Sequence, residues 1–195
     1  CKAAFSNRWS YPEERIQVLL NVLDVASIKQ KSEERIDFVK PQVFTFCCMS
    51  RISSGKGIER LLECVDRLNK EGYKFFLNII GGGDTLEEMK SLTRQMLLEN
   101  VYFQGNKDNP YPYLLQSYVF VYPSETEAYS TSVCEALILG MPIITTKTAS
   151  VPEIFSDGEY GVVVDNDTTG IYKAMKAFMD DNNLICHYRN KAKQR

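Results

Sequence analysis

The sequence is short of the groups that commonly carry catalysis. It has one histidine and one tryptophan in 195 residues. The histidine, His187, stands near the C-terminus among polar residues, so a His-activated nucleophile has little support. Six cysteines (Cys1, Cys47, Cys48, Cys64, Cys134 and Cys186) form no C-x-x-C pair, which removes the usual zinc and thioredoxin-like patterns. No apolar run approaches the ~18 residues that span a membrane. Residues 1–10 lack the three-part pattern of a secretory leader. Excess charge is missing too: 23 Lys+Arg against 25 Asp+Glu gives a net −2, without the basic stripe of a nucleic-acid binder. There is no P-loop, no internal repeat and no low-complexity tract.

What is present is an ordinary globular composition, 44% hydrophobic and 25% charged. At ~150 residues per domain this is one domain, or one with an appendage. Such a length buries ~70% of its unfolded surface and needs no disulfide or metal to hold a core. Cys47 and Cys48 are adjacent in an apolar run, where they point to opposite faces of a strand. They read as small buried hydrophobes of a reducing compartment.

Apolar, β-rich runs alternate with amphipathic stretches. Strands are expected at Ile16–Leu23, Val43–Met49, Phe75–Ile80, Val101–Gln104, Tyr118–Tyr122, Pro142–Thr146 and Tyr160–Val164. Helices are expected near Gly57–Glu71, Leu86–Leu98, Tyr111–Gln116, Thr131–Leu139, Thr168–Asp180 and Asn183–Lys193. Residues Ala26–Asp37 read as a connecting helix or linker. Short, continuously apolar strands belong to a parallel sheet covered on both faces. The expected fold is therefore α/β, a Rossmann-like, doubly wound parallel sheet. Ligands of such sheets sit beyond the carboxyl ends of the strands, so the loops that follow strands matter most. One of these strands lies in Glu99–Gly105, ENVYFQG, which resembles a viral protease recognition site. Its VxFxG pattern and its place after a helix make it part of the domain.

The first such loop reads SRISSGKG. Arg51 and Lys56 bracket a Ser-Ser-Gly segment just ahead of a helix, an arrangement suited to a dense anion such as a diphosphate. Two solvated surface cations are the plain alternative. The second loop is GGGD. Gly82 and Gly83 let backbone approach a ligand closely, or simply make a tight turn. A dinucleotide fingerprint would need glycine at 86, where Leu86 stands. In the third loop Gly105 and Asn106 open NKDNPYPYL, and Pro110 and Pro112 are expected to set an extended approach to a short helix. The fourth loop, PSETEAYSTSVCEALILGMPII, places Glu127 before a helix and Glu135 about a turn inside it, with Ser130 or Thr131 as its cap. Carboxylates bind vicinal hydroxyls strongly, and two of them flanking a helix start suit a diol-bearing ligand with an anion between. Acids are favoured at helix starts in any case. The triplet Asp165-Asn166-Asp167 is compatible with a divalent metal or with capping the next helix; capping is the expectation, and no metal site is assigned.

Taken in order, R-x4-K, GGGD, VxFxG, NPYPY and PSxxExxxxxxxEALxLGxPIIT resemble the C-terminal half of a glycosyltransferase family 4 enzyme, a retaining transferase of GT-B fold. The resemblance runs from Arg15 to Lys193. It implies that Arg51 and Lys56 grip the donor diphosphate and that Glu127 contacts the donor sugar, these three forming the catalytic set. It further implies that Glu135 holds the ribose hydroxyls, that Tyr129, Ser130, Thr131 and Ser132 approach sugar and phosphates, and that Gly105 and Asn106 lie near the base. Ala128 and Ser50 depart from the glycines common at those positions. Tyr129-Ser130-Thr131 and Glu159-Tyr160-Gly161 are similar to bacterial members that build capsular and surface polysaccharides.

The resemblance also divides the chain. Residues 1–40 would be an interdomain segment, 41–181 the nucleotide-sugar-binding domain, and 182–195 the start of the closing helix. Family members are about twice this length, so an N-terminal domain would take the glycan or lipid-linked acceptor. The implied partner here is a nucleotide-diphosphate sugar, UDP-linked by preference, with no cofactor and no metal. The implied location is the cytoplasm, peripheral at the inner membrane for the full-length protein. A non-catalytic nucleotide-sugar-binding module on the same scaffold is the alternative that sequence leaves open.

Overall fold

The computed structural model describes residues 2–17, 19, 21–36, 38 and 42–194. Six strands form one parallel sheet: β1 (Phe44–Met49), β2 (Phe75–Ile80), β3 (Val101–Gly105), β4 (Val119–Tyr122), β5 (Ile143–Thr146) and β6 (Val162–Val164). Their spatial order is β3-β2-β1-β4-β5-β6, so the order in which strands are added reverses between β1 and β4, which run parallel. A doubly wound sheet opens a crevice at that reversal, at the carboxyl ends of its strands. The ENVYFQG string supplies β3, whose Val101 pairs with Leu77 of β2.

The helices are α1 (Lys2–Trp9), α2 (Val25–Ser32), α3 (Ile58–Lys70), α4 (Leu86–Gln95), α5 (Tyr111–Leu115), α6 (Thr131–Ile138), α7 (Val151–Phe155), α8 (Thr168–Asp180) and α9 (Asn182–Ala192). Helix α3 shows why they form. Ile58, Leu61, Leu62, Val65 and Leu68 recur at helical spacing, and all are buried. They pack with Ile171, Met175 and Phe178 of α8 over one face of the sheet. The opposite face is covered by Leu114 of α5, Val133 and Leu137 of α6, and Ile154 and Phe155 of α7. Cys48 belongs to the first core and Cys47 to the second, as strand alternation requires. Burial pushes the Cys48 thiol up to about 12 and the Cys47 thiol higher still, so both stay protonated.

The α/β class and the six strands from β1 onward follow the sequence expectation to within two residues at each end. The expected strand Ile16–Leu23 does not form among its described residues. Glu13–Arg15 is a short 3-10 turn, and Leu19 and Val22 stand almost fully in solvent. The described residues of that run belong to none of the six strands of the sheet. Residues 18 and 20 of that run lie outside the described set. The polar stretch that follows is helical over α2, capped by the Asp24 carboxylate, which accepts from Ser27 N–H at 2.9 Å. Helices α1 and α7 were not anticipated. The approach to α5 differs from expectation as well. Pro110 takes a helical backbone (φ −84°, ψ −16°) and Pro112 sits in the first turn, where a missing N–H costs nothing. Among the described residues no helix is long and apolar enough to cross a membrane.

Candidate functional site

The loops after β1, β2, β3 and β4 converge on a cleft of about 660 Å³ at the sheet's carboxyl edge. Its walls include Arg51, Lys56, Gly82, Gly83, Asn106, Glu127, Tyr129, Ser130, Thr131, Ser132 and Glu135. Residues separated by 84 positions in the chain are thus brought to one cavity, eleven of the twelve singled out in the sequence. The exception is Gly105, which is not among the lining residues. It ends β3 with φ +67°, and its carbonyl accepts the Gly81 N–H at 2.9 Å.

The first two loops are zipped together by backbone. Ile52 N–H donates to the Gly82 carbonyl at 2.9 Å, and Thr85 N–H to the Ile52 carbonyl at 3.2 Å. A Cβ at Gly83 would lie 2.1 Å from the Ile52 oxygen, and one at Gly81 2.0 Å from the Ser50 oxygen. These two glycines are therefore dictated by loop-to-loop approach, whatever a ligand adds. Gly57, at φ +71°, has a similar constraint, since its Cβ would meet the Pro123 oxygen at 2.0 Å.

The loop bearing Glu127 is fixed from outside the cleft. Glu125 N–H donates to the Gly55 carbonyl at 2.8 Å, and Thr146 Oγ1 donates to the Ser124 carbonyl. Arg60 of α3 donates to the Pro123 carbonyl at 2.5 Å and to Asn166 Oδ1 at 2.9 Å, while Asn166 donates to the Glu125 carbonyl at 2.7 Å. This is where the Asp165-Asn166-Asp167 triplet is spent. Asp165 pairs with Lys147 at 2.6 Å, and Asp167 caps α8 by accepting from Gly170 N–H at 2.7 Å. Among the described residues no three His, Cys, Asp or Glu side chains gather as a metal cage.

Inside the cleft the two carboxylates have different surroundings. Lys56 Nζ lies 2.7 Å from Glu127 Oε2, and the Tyr122 hydroxyl donates to the same oxygen at 2.6 Å. Lys56 and Glu127 side chains are only 25% and 15% exposed, so this ion pair is screened far less than a surface one. Burial by itself would raise the Glu127 pKa; the Lys56 and Tyr122 bonds outweigh it and hold the carboxyl below its ordinary value. Lys56 is correspondingly raised, its pairing with Glu127 overcoming its own burial. Among the described residues Glu135 accepts one side-chain bond, from the Tyr111 hydroxyl at 3.1 Å. Burial dominates there and raises its pKa, with Tyr111 only partly offsetting it. Arg51 differs from Lys56. Its side chain is 71% exposed and its contact with Asp84 is a loose 3.7 Å.

Helix α6 begins between the two glutamates. Ser130 is its cap, its hydroxyl accepting from Val133 N–H at 3.3 Å. The first turn of α6 contributes Thr131 and Ser132 to the cleft wall, and N–H groups at a helix start have no intrahelical acceptor. Sequence reasoning missed several members of the wall: Met49, Ser50, Ile80, Gly81, Lys107, Pro110 and Tyr122. Tyr122 was findable as the last residue of a strand that feeds the glutamate loop. Lys107 carries a further cation and directly follows Asn106, but nothing in its spacing marks it.

A parallel sheet whose strand order reverses, with a cleft of cations, glycines and carboxylates at its carboxyl edge, defines a doubly wound α/β domain. Residues 29–195 match the sequence profile of Glycosyl transferases group 1, and the chain belongs to that family. A curated relative is the N-acetylgalactosamine-N,N'-diacetylbacillosaminyl-diphospho-undecaprenol 4-alpha-N-acetylgalactosaminyltransferase of Campylobacter jejuni. It is 28% identical over 190 residues, which are 96% of this chain and 50% of the relative. The chain spans half or less of the length of the curated relatives it matches first. The structure of Anabaena HepE in complex with UDP and glucose superposes with a TM-score of 0.82 at 16% identity, over 99% of this chain and 55% of that one. The C-terminal domain of the group 1 protein LpcC from Francisella tularensis gives 0.67 at 20% identity, over 76% and 82%. The fold is thus that of the C-terminal half of a GT-B glycosyltransferase.

Proposed function

We propose that this chain is the donor half of a retaining hexosyltransferase. It would hold a nucleotide-diphosphate sugar, UDP-linked by preference, while a second domain presents a glycan or lipid-linked acceptor hydroxyl. The observation that carries the proposal is the cleft itself, where the cations Arg51, Lys56 and Lys107, the start of α6 and the carboxylates of Glu127 and Glu135 line one cavity. Charge develops on the diphosphate as it leaves. Arg51, Lys56 and the N–H groups at the start of α6 would meet that charge; Lys56, paired with Glu127, and the helix start are held in place beforehand, which is how preorganised donors lower a barrier. Glu127, kept ionised, would accept hydroxyls of the transferred sugar. Glu135 would accept the ribose hydroxyls. Asn106, Gly82 and Gly83, with Gly105 behind them, would border the base.

Two similar proteins support the chemistry. HepE is seen with UDP and glucose, and the Campylobacter relative is named for a diphospho-undecaprenol-linked substrate. A cytoplasmic enzyme working against the inner membrane fits this reading. The test is transfer by the full-length protein from a panel of UDP-, GDP- and ADP-sugars, with the anomeric configuration of the product read by NMR. Transfer with retention from one nucleotide class is expected. Inversion would overturn the mechanism. Nucleotide-sugar binding without transfer to any hydroxyl would favour a non-catalytic binding module.

A further inference from the structure

Tyr111 is not among the residues lining the cleft, yet among the described residues it provides the side-chain hydrogen bond to Glu135. Its hydroxyl donates to Glu135 Oε1 at 3.1 Å from the first turn of α5, across the gap between the third and fourth loops. The ring packs against the apolar core beneath α6, so the hydroxyl is delivered from the protein side. Burial and the neighbouring carboxylate together push the Tyr111 phenol up to about 12, which keeps it a donor throughout the neutral range.

We infer that Tyr111 is a positioning residue that orients the Glu135 carboxylate for a nucleotide's ribose hydroxyls. The inference rests on the donor reading above. A carboxylate has two oxygens and about four acceptor sites. Engaging Oε1 from behind fixes the rotamer and leaves Oε2 for a diol in the cleft. Without that bond, Glu135 keeps its burial penalty, loses its one compensating donor, and is free to rotate.

The experiment is calorimetric titration of the 195-residue chain with UDP and with 2′,3′-dideoxy-UDP, which lacks both hydroxyls. The unaltered chain, Tyr111→Phe and Glu135→Gln are compared, with circular dichroism to confirm folding. Tyr111→Phe is expected to weaken UDP about five- to tenfold, the scale of one hydrogen bond to a charged group. It is expected to leave dideoxy-UDP unchanged and to move the acid limb of UDP binding to higher pH. A purely structural role would weaken both ligands alike, and that result overturns the inference. So does full UDP affinity in Tyr111→Phe while Glu135→Gln is impaired. If Glu135→Gln binds UDP normally, or the unaltered chain binds none, the donor reading fails and the inference with it.

Discussion

Glu127 and Glu135 stand eight residues apart, line one cleft and are each met by a tyrosine hydroxyl, yet they have opposite chemistry. At Glu127 a lysine joins the tyrosine on one oxygen, and the carboxyl is held in its charged form. At Glu135 burial wins, and the carboxyl is pushed toward its neutral form. The first end of the cleft is internally paired before any ligand arrives. The second is short of partners, and a diol would supply them. A ligand that enters must compete with the protein for Lys56 at one end and complete a deficient site at the other.

The sharpest way to break the contrast is to remove the paired cation. Lys56→Ala in the full-length enzyme is expected to lower the transfer rate by ~10²–10³, as loss of a preorganised donor does elsewhere. A fall smaller than threefold would remove Lys56 from the leaving-group role. Glu135→Ala should weaken UDP binding by ~1.5–3 kcal/mol, read by calorimetry on the chain alone. Unchanged affinity would contradict the ribose assignment.

Stability against pH should separate the two carboxylates by sign. A lowered folded pKa, as at Glu127, contributes stability that is present at neutral pH and is lost as pH falls through the lowered value. A raised one, as at Glu135, costs stability as pH rises past the ordinary carboxylate value and returns it on acidification. Glu127→Gln is therefore expected to lower Tm at pH 7, by an amount equivalent to ~1–3 kcal/mol, with the deficit shrinking in acid. Glu135→Gln should raise Tm slightly at pH 7, and that gain should vanish in acid. Shifts of the same sign in both variants would dissolve the comparison. The smallest effect belongs to the exposed pair. Asp84→Ala should change stability by less than ~1 kcal/mol, because the 3.7 Å Arg51–Asp84 contact is a solvated surface ion pair.

Much of this was legible in the sequence because local pattern and global fold agree. Strand β2 coincides with its apolar run, and α8 runs from a capping Asp to an acidic stop. Glu127 and Glu135 were legible because each sits where a strand hands over to a helix. What sequence could not show is pairing across loops. Nothing in the spacing of Lys56 and Glu127 says that they bond, nor that Tyr111 and Tyr122 stand behind the two acids. Gly83 looked like a ligand glycine, but its first constraint, like that of the unanticipated Gly81, is the backbone of residues 50–52. The run Ile16–Leu23 misled for the converse reason. Its apolar pattern is right for a strand, and only the topology shows that its described residues join none of the six strands.

The most direct test of the central claim is titration of the chain with UDP, GDP and ADP, in Mg²⁺ and again in EDTA, alongside Glu135→Ala. The account predicts that one nucleotide binds, that EDTA makes no difference, and that Glu135→Ala removes most of the affinity. Binding that requires Mg²⁺ and survives Glu135→Ala would contradict it, and would return attention to Asp165 and Asp167.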